Sequence, residues 1–460
     1  MQRDFSFTEE KSEKQEKKQD VELLFEHKDC ILEGMQTKEN QEEIYYRREE
    51  DQEAIAAYLA PKAFSHAYRY SADGPVPAEG LREDDNLIIK GDNLPVMTSL
   101  MARYKEKVKC IYIDPPYNTG NLKFGYQDSF LRSTWLTFMK NRLEAAKKLM
   151  AKDGFIFVQC DDCQSAYLKV LMDEIFGEEN YRNSIYWHRT YAGKTVTKKL
   201  PWNTDTILLY SKNPRTALYR VTAELTEADK KAYTKDDGDG RGRYTTVSLQ
   251  KTSSPGPETT YDYEDNEGRI WFCPKKGWRM KQSKLKALEN DGRLYITDKT
   301  IREKYYLTER MAIGKQIDNF WSDIGNMNRA SDLSYGLDGQ KPEKLMQRIL
   351  AMASREGDLV LDFFMGTGTT CAAAMKMGRR FIGIEQLDYI EETAVQRLQA
   401  VMGGERHGIS RAEAWKGGGS FVYCELAEQN GFYVNREEAE EAELSWEDLA
   451  FTKNFYEVEK

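Results

Sequence analysis

An α/β architecture, an open and mostly parallel sheet split in sequence by an inserted α+β segment, is the fold this chain predicts. Three observations carry it. Short apolar runs alternate with amphipathic stretches from residue 81 to about 190, and the same rhythm returns after residue 335. Between them, over 212–334, turns rich in Gly, Pro and Thr interrupt short aromatic runs interleaved with Arg and Lys. In the returning half an apolar run ends in Asp362, and Gly366-Thr367-Gly368 then leads into a helix start, the strand–bend–helix pattern of a doubly wound sheet.

Taken in order, residues 1–80 open as a solvated, helical N-terminal arm rich in Glu, Lys and Gln. The first half of the sheet domain, 81–211, begins with Leu87-Ile88-Ile89 and a turn at Gly91-Asp92-Asn93. A second strand, Ile111-Tyr112-Ile113, runs into Asp114-Pro115-Pro116-Tyr117. Ser133 opens a helix with Leu136, Met139, Leu143, Ala146 and Leu149 on one face. Gly154–Val158 reads as a buried strand, Ser165–Phe176 as a helix with Leu168, Leu171 and Ile175 inward, and 184–187 and 206–210 as further strands. After the insert, 335–424 forms the second half of the domain, and 425–460 an acidic tail.

Composition narrows the class. At 460 residues the chain buries a large core and holds two or three domains. It is 40% hydrophobic, its mean hydropathy is −0.72, and no apolar run is long enough to span a membrane. The polar start shows no secretory signal, and seven scattered cysteines suit a reducing cytoplasm. Cys160-Asp-Asp-Cys163 lacks the second pair that a zinc site needs, so no metal is expected. The net charge of −9 is unevenly spread: residues 1–60 and 425–460 carry −8 each, whereas 181–330 carries +9. A local basic field of this kind attracts phosphate even on an acidic chain.

The chemistry is concentrated in two motifs. Two consecutive prolines fix the backbone after Asp114, so its carboxylate and the Pro115 carbonyl can converge on one planar amino group. Tyr117 offers a flat face on which a ring can stack. An exocyclic amine is a poor nucleophile because its lone pair is delocalised, and two acceptors holding its hydrogens free that pair for attack. A Pro-Pro turn that merely ends a strand has the same sequence, so the second motif decides. There, Asp362, Phe364, Gly366, Gly368 and Thr369 frame a helix N-terminus open to a cofactor. Glu385 closes the next strand, Phe381–Glu385, at the spacing of a ribose-binding carboxylate. A nicotinamide dehydrogenase shares parts of this pattern. The incomplete glycine fingerprint, Asp362, and the Thr-Thr that follows the glycines favour S-adenosylmethionine.

With these residues the chain resembles the amino-type DNA methyltransferases in which the catalytic motif precedes the glycine motif, and more closely the modification subunits of type III restriction–modification systems. The likeness runs over roughly 85–425. Asp114 to Gly120, Asp-Pro-Pro-Tyr-Asn-Thr-Gly, matches the adenine form of the catalytic motif, whose cytosine counterpart carries Ser in place of the Asp. Gln340-Lys341-Pro342-Glu343 with Leu345 and Ile349 resembles the helix that helps enclose the cofactor, and 417–425 resembles a type III segment.

The resemblance implies a Rossmann-like S-adenosylmethionine-dependent sheet with a target recognition domain over 212–334. It implies methyl transfer to N6 of adenine in double-stranded DNA, with Asp114, Pro115, Pro116 and Tyr117 at the target and Asp92, Lys341, Asp362, Phe364, Gly366, Gly368, Thr369 and Glu385 toward the cofactor. It also implies a homodimer and an association with a restriction subunit, since this chain has no Walker-type phosphate loop of its own. A cytosine-N4 or RNA amino-methyltransferase would keep the same pocket, and a non-catalytic DNA-reading subunit would need only the central segment.

Overall fold

A computed structural model of the chain describes residues 21–34, 43–78, 80–82, 84–120, 128–190, 200–327, 334–335, 339–427 and 455–456. It divides into two compact units, one reaching to Tyr219 and resuming at Asn319, the other Arg220–Asp318.

The first unit is built on one sheet of twelve strands among the described residues. Its central strands lie in the order Met150–Cys160, Val108–Ile113, Leu359–Asp362, Arg380–Glu385, Leu87–Lys90 and Phe421–Leu426, each parallel to the next. Such strands are covered on both faces, which is why Val-Lys-Cys-Ile-Tyr-Ile and Leu-Val-Leu-Asp are buried at every position. Helix Arg132–Leu149 and helix Ser165–Phe176 bury Trp135, Leu143, Leu168 and Leu171 against one face. Helix Glu343–Ala353 sinks Leu345, Met346, Ile349 and Leu350 and packs beside helix Thr369–Lys376. The catalytic and glycine motifs, more than 200 residues apart in sequence, leave neighbouring strands at the same edge. That edge is where ligands gather in open α/β sheets.

The sheet departs from the sequence reading at both flanks. Strands Tyr181–His188 and Thr204–Ser211 follow one another with no helix between them among the described residues, and they pair antiparallel. Thr204–Ser211 is also antiparallel to Met150–Cys160. A parallel pairing would need a crossover on a sheet face.

At the other flank the expectation of a helical arm over 1–80 needs correction. Only Gln52–Leu59 is helical among the described residues there. Cys30–Glu33 and Ile44–Arg47 form a hairpin. Phe64–Ser71 joins the main sheet antiparallel to Phe421–Leu426, with Tyr70 stacked on Phe421 at 4.8 Å. The alternating Ala-Tyr-Arg-Tyr at 67–70 is a strand pattern that the charge of the preceding stretch obscured. Residues 1–20 and 428–454 lie outside the described residues, and strand Phe421–Leu426 runs across the boundary expected at 425.

The second unit carries a three-stranded antiparallel sheet, Tyr244–Ser248, Ile301–Tyr306 and Leu294–Ile296, with a short hairpin and helix Gln282–Asn290. Its core is Leu249, Tyr263, Trp278, Leu285 and Leu294. Trp278 is therefore a packing residue whose indole N–H donates to the Tyr261 carbonyl at 2.6 Å, and is not a surface on which a base can stack. Arg269 lies over the Trp271 ring at 4.4 Å, while Arg241 and Arg279 are paired with Asp291 and Glu303.

Candidate active site

Strand Val108–Ile113 delivers Asp114 to the carboxyl edge of the sheet, where both carboxylate oxygens are engaged. The Tyr117 hydroxyl donates to Oδ1 at 2.6 Å, and the Lys341 ammonium pairs with Oδ2. The Lys341 ammonium also donates to the Gly339 carbonyl at 3.0 Å and lies 5.9 Å from the centre of the Tyr117 ring. The turn itself is pinned: the buried Trp135 indole N–H, from helix Arg132–Leu149, donates to the Pro116 carbonyl at 2.7 Å. Beyond it Asn118 adopts a left-handed backbone, φ 58°, that an Asn tolerates. Its side chain exchanges two bonds with the Phe130 backbone, at 2.6 and 3.1 Å. The Asp128 carboxylate accepts the backbone N–H groups of Asn118 and Thr119. Thus the segment following the catalytic motif is fastened by Asp128 and Trp135, neither of which carried a signal in sequence.

One strand away, Asp362 is almost fully buried. It accepts the Phe364 backbone N–H at 3.1 Å and the Thr370 hydroxyl at 2.5 Å. Burial pushes its carboxyl up to about 7. The Phe364 ring packs on Phe363 and Phe138. Gly366 and Gly368 both take left-handed φ, 54° and 73°. A Cβ at Gly368 would meet Ala394 at 3.2 Å, whereas one at Gly366 would meet nothing within 4 Å, so that bend opens onto free space. On the next strand Glu385 accepts the Gly366 N–H at 2.9 Å and the N–H groups of Gln386 and Leu387 at 2.9 and 3.1 Å. Burial raises its carboxyl above the usual range. A carboxylate offers about four lone-pair sites, so three backbone donors leave capacity for a ribose hydroxyl.

The structure gives Asp92 a framework role that the sequence did not suggest. It caps helix Asn93–Tyr104 through the Leu94 N–H at 3.0 Å, and it accepts from the wholly buried Arg142 at 2.9 Å and from Tyr58 at 3.0 Å. Asn93 then reaches the Phe363 carbonyl at 2.7 Å, tying this turn to the glycine-motif strand. Thr369 opens helix Thr369–Lys376 and accepts from Arg397 at 2.7 Å. Arg397 in turn donates to Glu343 at 2.9 Å, and Lys376 donates to the other Glu343 oxygen at 2.8 Å and pairs with Glu405. This buried cluster joins the glycine bend to the segment carrying Lys341. Tyr335, Gln340, Lys341, Glu343, Arg397 and His407 line a cavity beside it.

Asp114, Asp362, Glu385 and the Gly91-Asp92 turn therefore leave four adjacent parallel strands at one edge, with Lys341 brought to Asp114 from a separate segment. The family model described as DNA methylase, N6_N4_Mtase, matches residues 108–396, a span that contains both motifs. The chain belongs to this N6/N4 DNA methylase family.

Among its relatives, it is 33% identical to the "Probable type III restriction-modification enzyme HindVI Mod subunit" of Haemophilus influenzae, covering 95% of this chain and 75% of that protein. It is 28% identical to the type III restriction-modification enzyme StyLTI Mod subunit of Salmonella typhimurium, covering 64% of this chain and 50% of that protein. The PvuII DNA methyltransferase, titled cytosine-N4-specific, covers 68% of this chain and 86% of its own at 14% identity and a TM-score of 0.39. Within the family's sequence pattern, the Asp at 114 and the helix following Lys341-Pro342 are the features placed against the glycine bend here. Among the described residues no helix is long and apolar enough to cross a membrane, and no cluster of His, Cys, Asp or Glu is arranged to hold a metal.

Proposed function

We propose that this methylase transfers a methyl group from S-adenosylmethionine to N6 of adenine in double-stranded DNA, as the modification subunit of a type III restriction–modification system. The observation that carries the reading is Asp114, held at the strand end by Tyr117 and Lys341 beside the open bend at Gly366 and the carboxylate of Glu385. The donor set fits the cofactor. Gly366 faces free space, Glu385 can accept ribose hydroxyls, and Lys341 and Arg397 line a cavity suited to an anionic group. When bound, S-adenosylmethionine supplies an electrophilic methyl on a sulfonium.

The chain's own residues do the rest. The target adenine leaves the stack, because its amine is out of reach of this pocket inside a duplex. Asp114 and the Pro115 carbonyl accept the two N6 hydrogens, and the Tyr117 ring packs on the base. Trp135 and Asp128 keep that turn from shifting, which matters because positioning supplies much of the rate. Asp114 need not be a strong base: the methylated nitrogen is acidic and sheds its proton afterwards. Arg220–Asp318 serves as the target recognition domain, its basic and aromatic residues meeting phosphates and base edges. The protein acts in the cytoplasm as a homodimer, and cleavage belongs to a separate restriction subunit.

Single-molecule sequencing of DNA from cells expressing the chain, beside an Asp114→Ala control, tests the reading. N6-methyladenine at one short recurring site, lost in the control, is expected. A folded wild type that leaves adenine unmodified overturns it, and N4-methylcytosine in the product would move the target to cytosine.

A further inference from the structure

The pairing of Lys341 with Asp114 has a consequence for the order of events. An adenine amine binds Asp114 by donating a hydrogen, and an ammonium binds it the same way. With Tyr117 on Oδ1 and Lys341 on Oδ2, both acceptor oxygens already have donors before any base arrives. The pair is only partly shielded, at 13% exposure for the Lys341 side chain and 23% for Asp114, so it can be exchanged.

The backbone beneath Lys341 is firmly set. Pro342 precedes helix Glu343–Ala353, and Glu343 is clamped by Arg397 and Lys376. Only the flexible stem of Lys341 has freedom, and the residue also lines the cavity shared with Tyr335, Gln340 and Arg397. Its ammonium thus stands between the catalytic carboxylate and a cavity with a second cation.

We propose that Lys341 is a stand-in for the target amine. It neutralises Asp114 in the free protein and swings to the carboxylate of the methyl donor when that group enters the cavity, which leaves Asp114 open to adenine. Cofactor and target base would then bind with positive coupling through one side chain. This inference rests on the cofactor reading above.

Calorimetric titration with S-adenosylhomocysteine, which keeps the carboxylate and lacks the methyl, tests it without DNA. If Lys341 must leave Asp114 to bind the donor, Asp114→Asn should tighten binding, on the order of three- to tenfold for a partly exposed ion pair of this kind. Lys341→Met should weaken binding, and Asp114→Asn should add nothing in that background. Unchanged or weaker binding by Asp114→Asn with Lys341 intact overturns the handover.

A second measurement uses duplexes carrying adenine or purine at the target position, with and without S-adenosylhomocysteine. The wild type should prefer adenine over purine more strongly when the analogue is present, and Lys341→Met should lose that dependence. A preference independent of the analogue also overturns the proposal. Failure of the function reading looks different, since a protein that binds S-adenosylhomocysteine yet methylates no DNA leaves the calorimetric comparison intact.

Discussion

Arg397→Met perturbs the cluster that holds the glycine bend, and its effect can be worked from the contacts. Arg397 donates to Thr369 and Thr367 at 2.7 and 3.3 Å and to Glu343 at 2.9 Å, and it is nearly inaccessible to solvent. Glu343, Lys376, Arg397 and Glu405 together carry no net charge. Removing the guanidinium strands a negative charge where water cannot reach it, and breaking a buried pair in this way costs about 3–5 kcal/mol. Glu343→Gln strands a positive charge by the same reasoning.

The double variant restores neutrality, so its loss should be smaller than the sum of the two by about 1–3 kcal/mol. Urea unfolding followed by tryptophan fluorescence measures all four corners of the cycle. Burial pushes the Glu343 carboxyl up, but Arg397 and Lys376 outweigh it and hold it below the usual range. The wild-type stability from this group is therefore full above its unfolded value near 4.5 and lost as pH falls through the lower folded value. Single variants within about 0.5 kcal/mol of the wild type, or losses that simply add, would refute a coupled buried cluster.

Three further outcomes test the site. Asp362, raised to about 7 by burial, holds a proton in the folded state that the unfolded chain releases near 3.8. Its contribution is full below 3.8 and falls as pH rises through 7, by up to roughly 4 kcal/mol; Asp362→Asn should flatten this slope in urea midpoints, and parallel slopes would exclude it. Gly366→Ala meets open space and should lose only about 1–2 kcal/mol from its left-handed backbone, yet weaken S-adenosylhomocysteine binding at least about tenfold. Gly368→Ala also presses on Ala394 and should destabilise more, so the reverse order of stabilities would contradict the geometry. Trp135→Phe removes the bond to the Pro116 carbonyl and should lower kcat about tenfold with cofactor affinity unchanged, whereas a change confined to cofactor affinity would place Trp135 outside the target pocket.

What could be read in the sequence was whatever has a short period or a fixed local geometry. Helix Ser165–Phe176 was legible to the residue because Leu168, Leu171 and Ile175 mark one face and Gly177 stops it. Strands Val108–Ile113 and Leu359–Asp362 were legible because burial on both faces leaves them almost wholly apolar. The antiparallel turn-back at Thr204–Ser211 was not, since an apolar run has the same appearance in either direction. Phe64–Ser71 was hidden for a different reason: its partner, Phe421–Leu426, lies 350 residues downstream, and the acidic stretch before it dominated the local composition.

The site divides along the same line. Residues whose role depends on backbone shape, the prolines after Asp114 and the glycines after Asp362, announce themselves because few other residues fit there. Residues whose role depends on a distant partner do not. Arg397 is a single arginine on a helical face, Asp128 one acid among many, and Asp92 reads as a turn residue until Arg142 is seen 2.9 Å away. Lys341 is the instructive case. Sequence resemblance assigned it to the cofactor, while the fold sets its ammonium on the catalytic carboxylate. Both assignments follow from one long stem anchored between two sites, and a side chain that serves either partner in turn can make the occupancy of one site depend on the other.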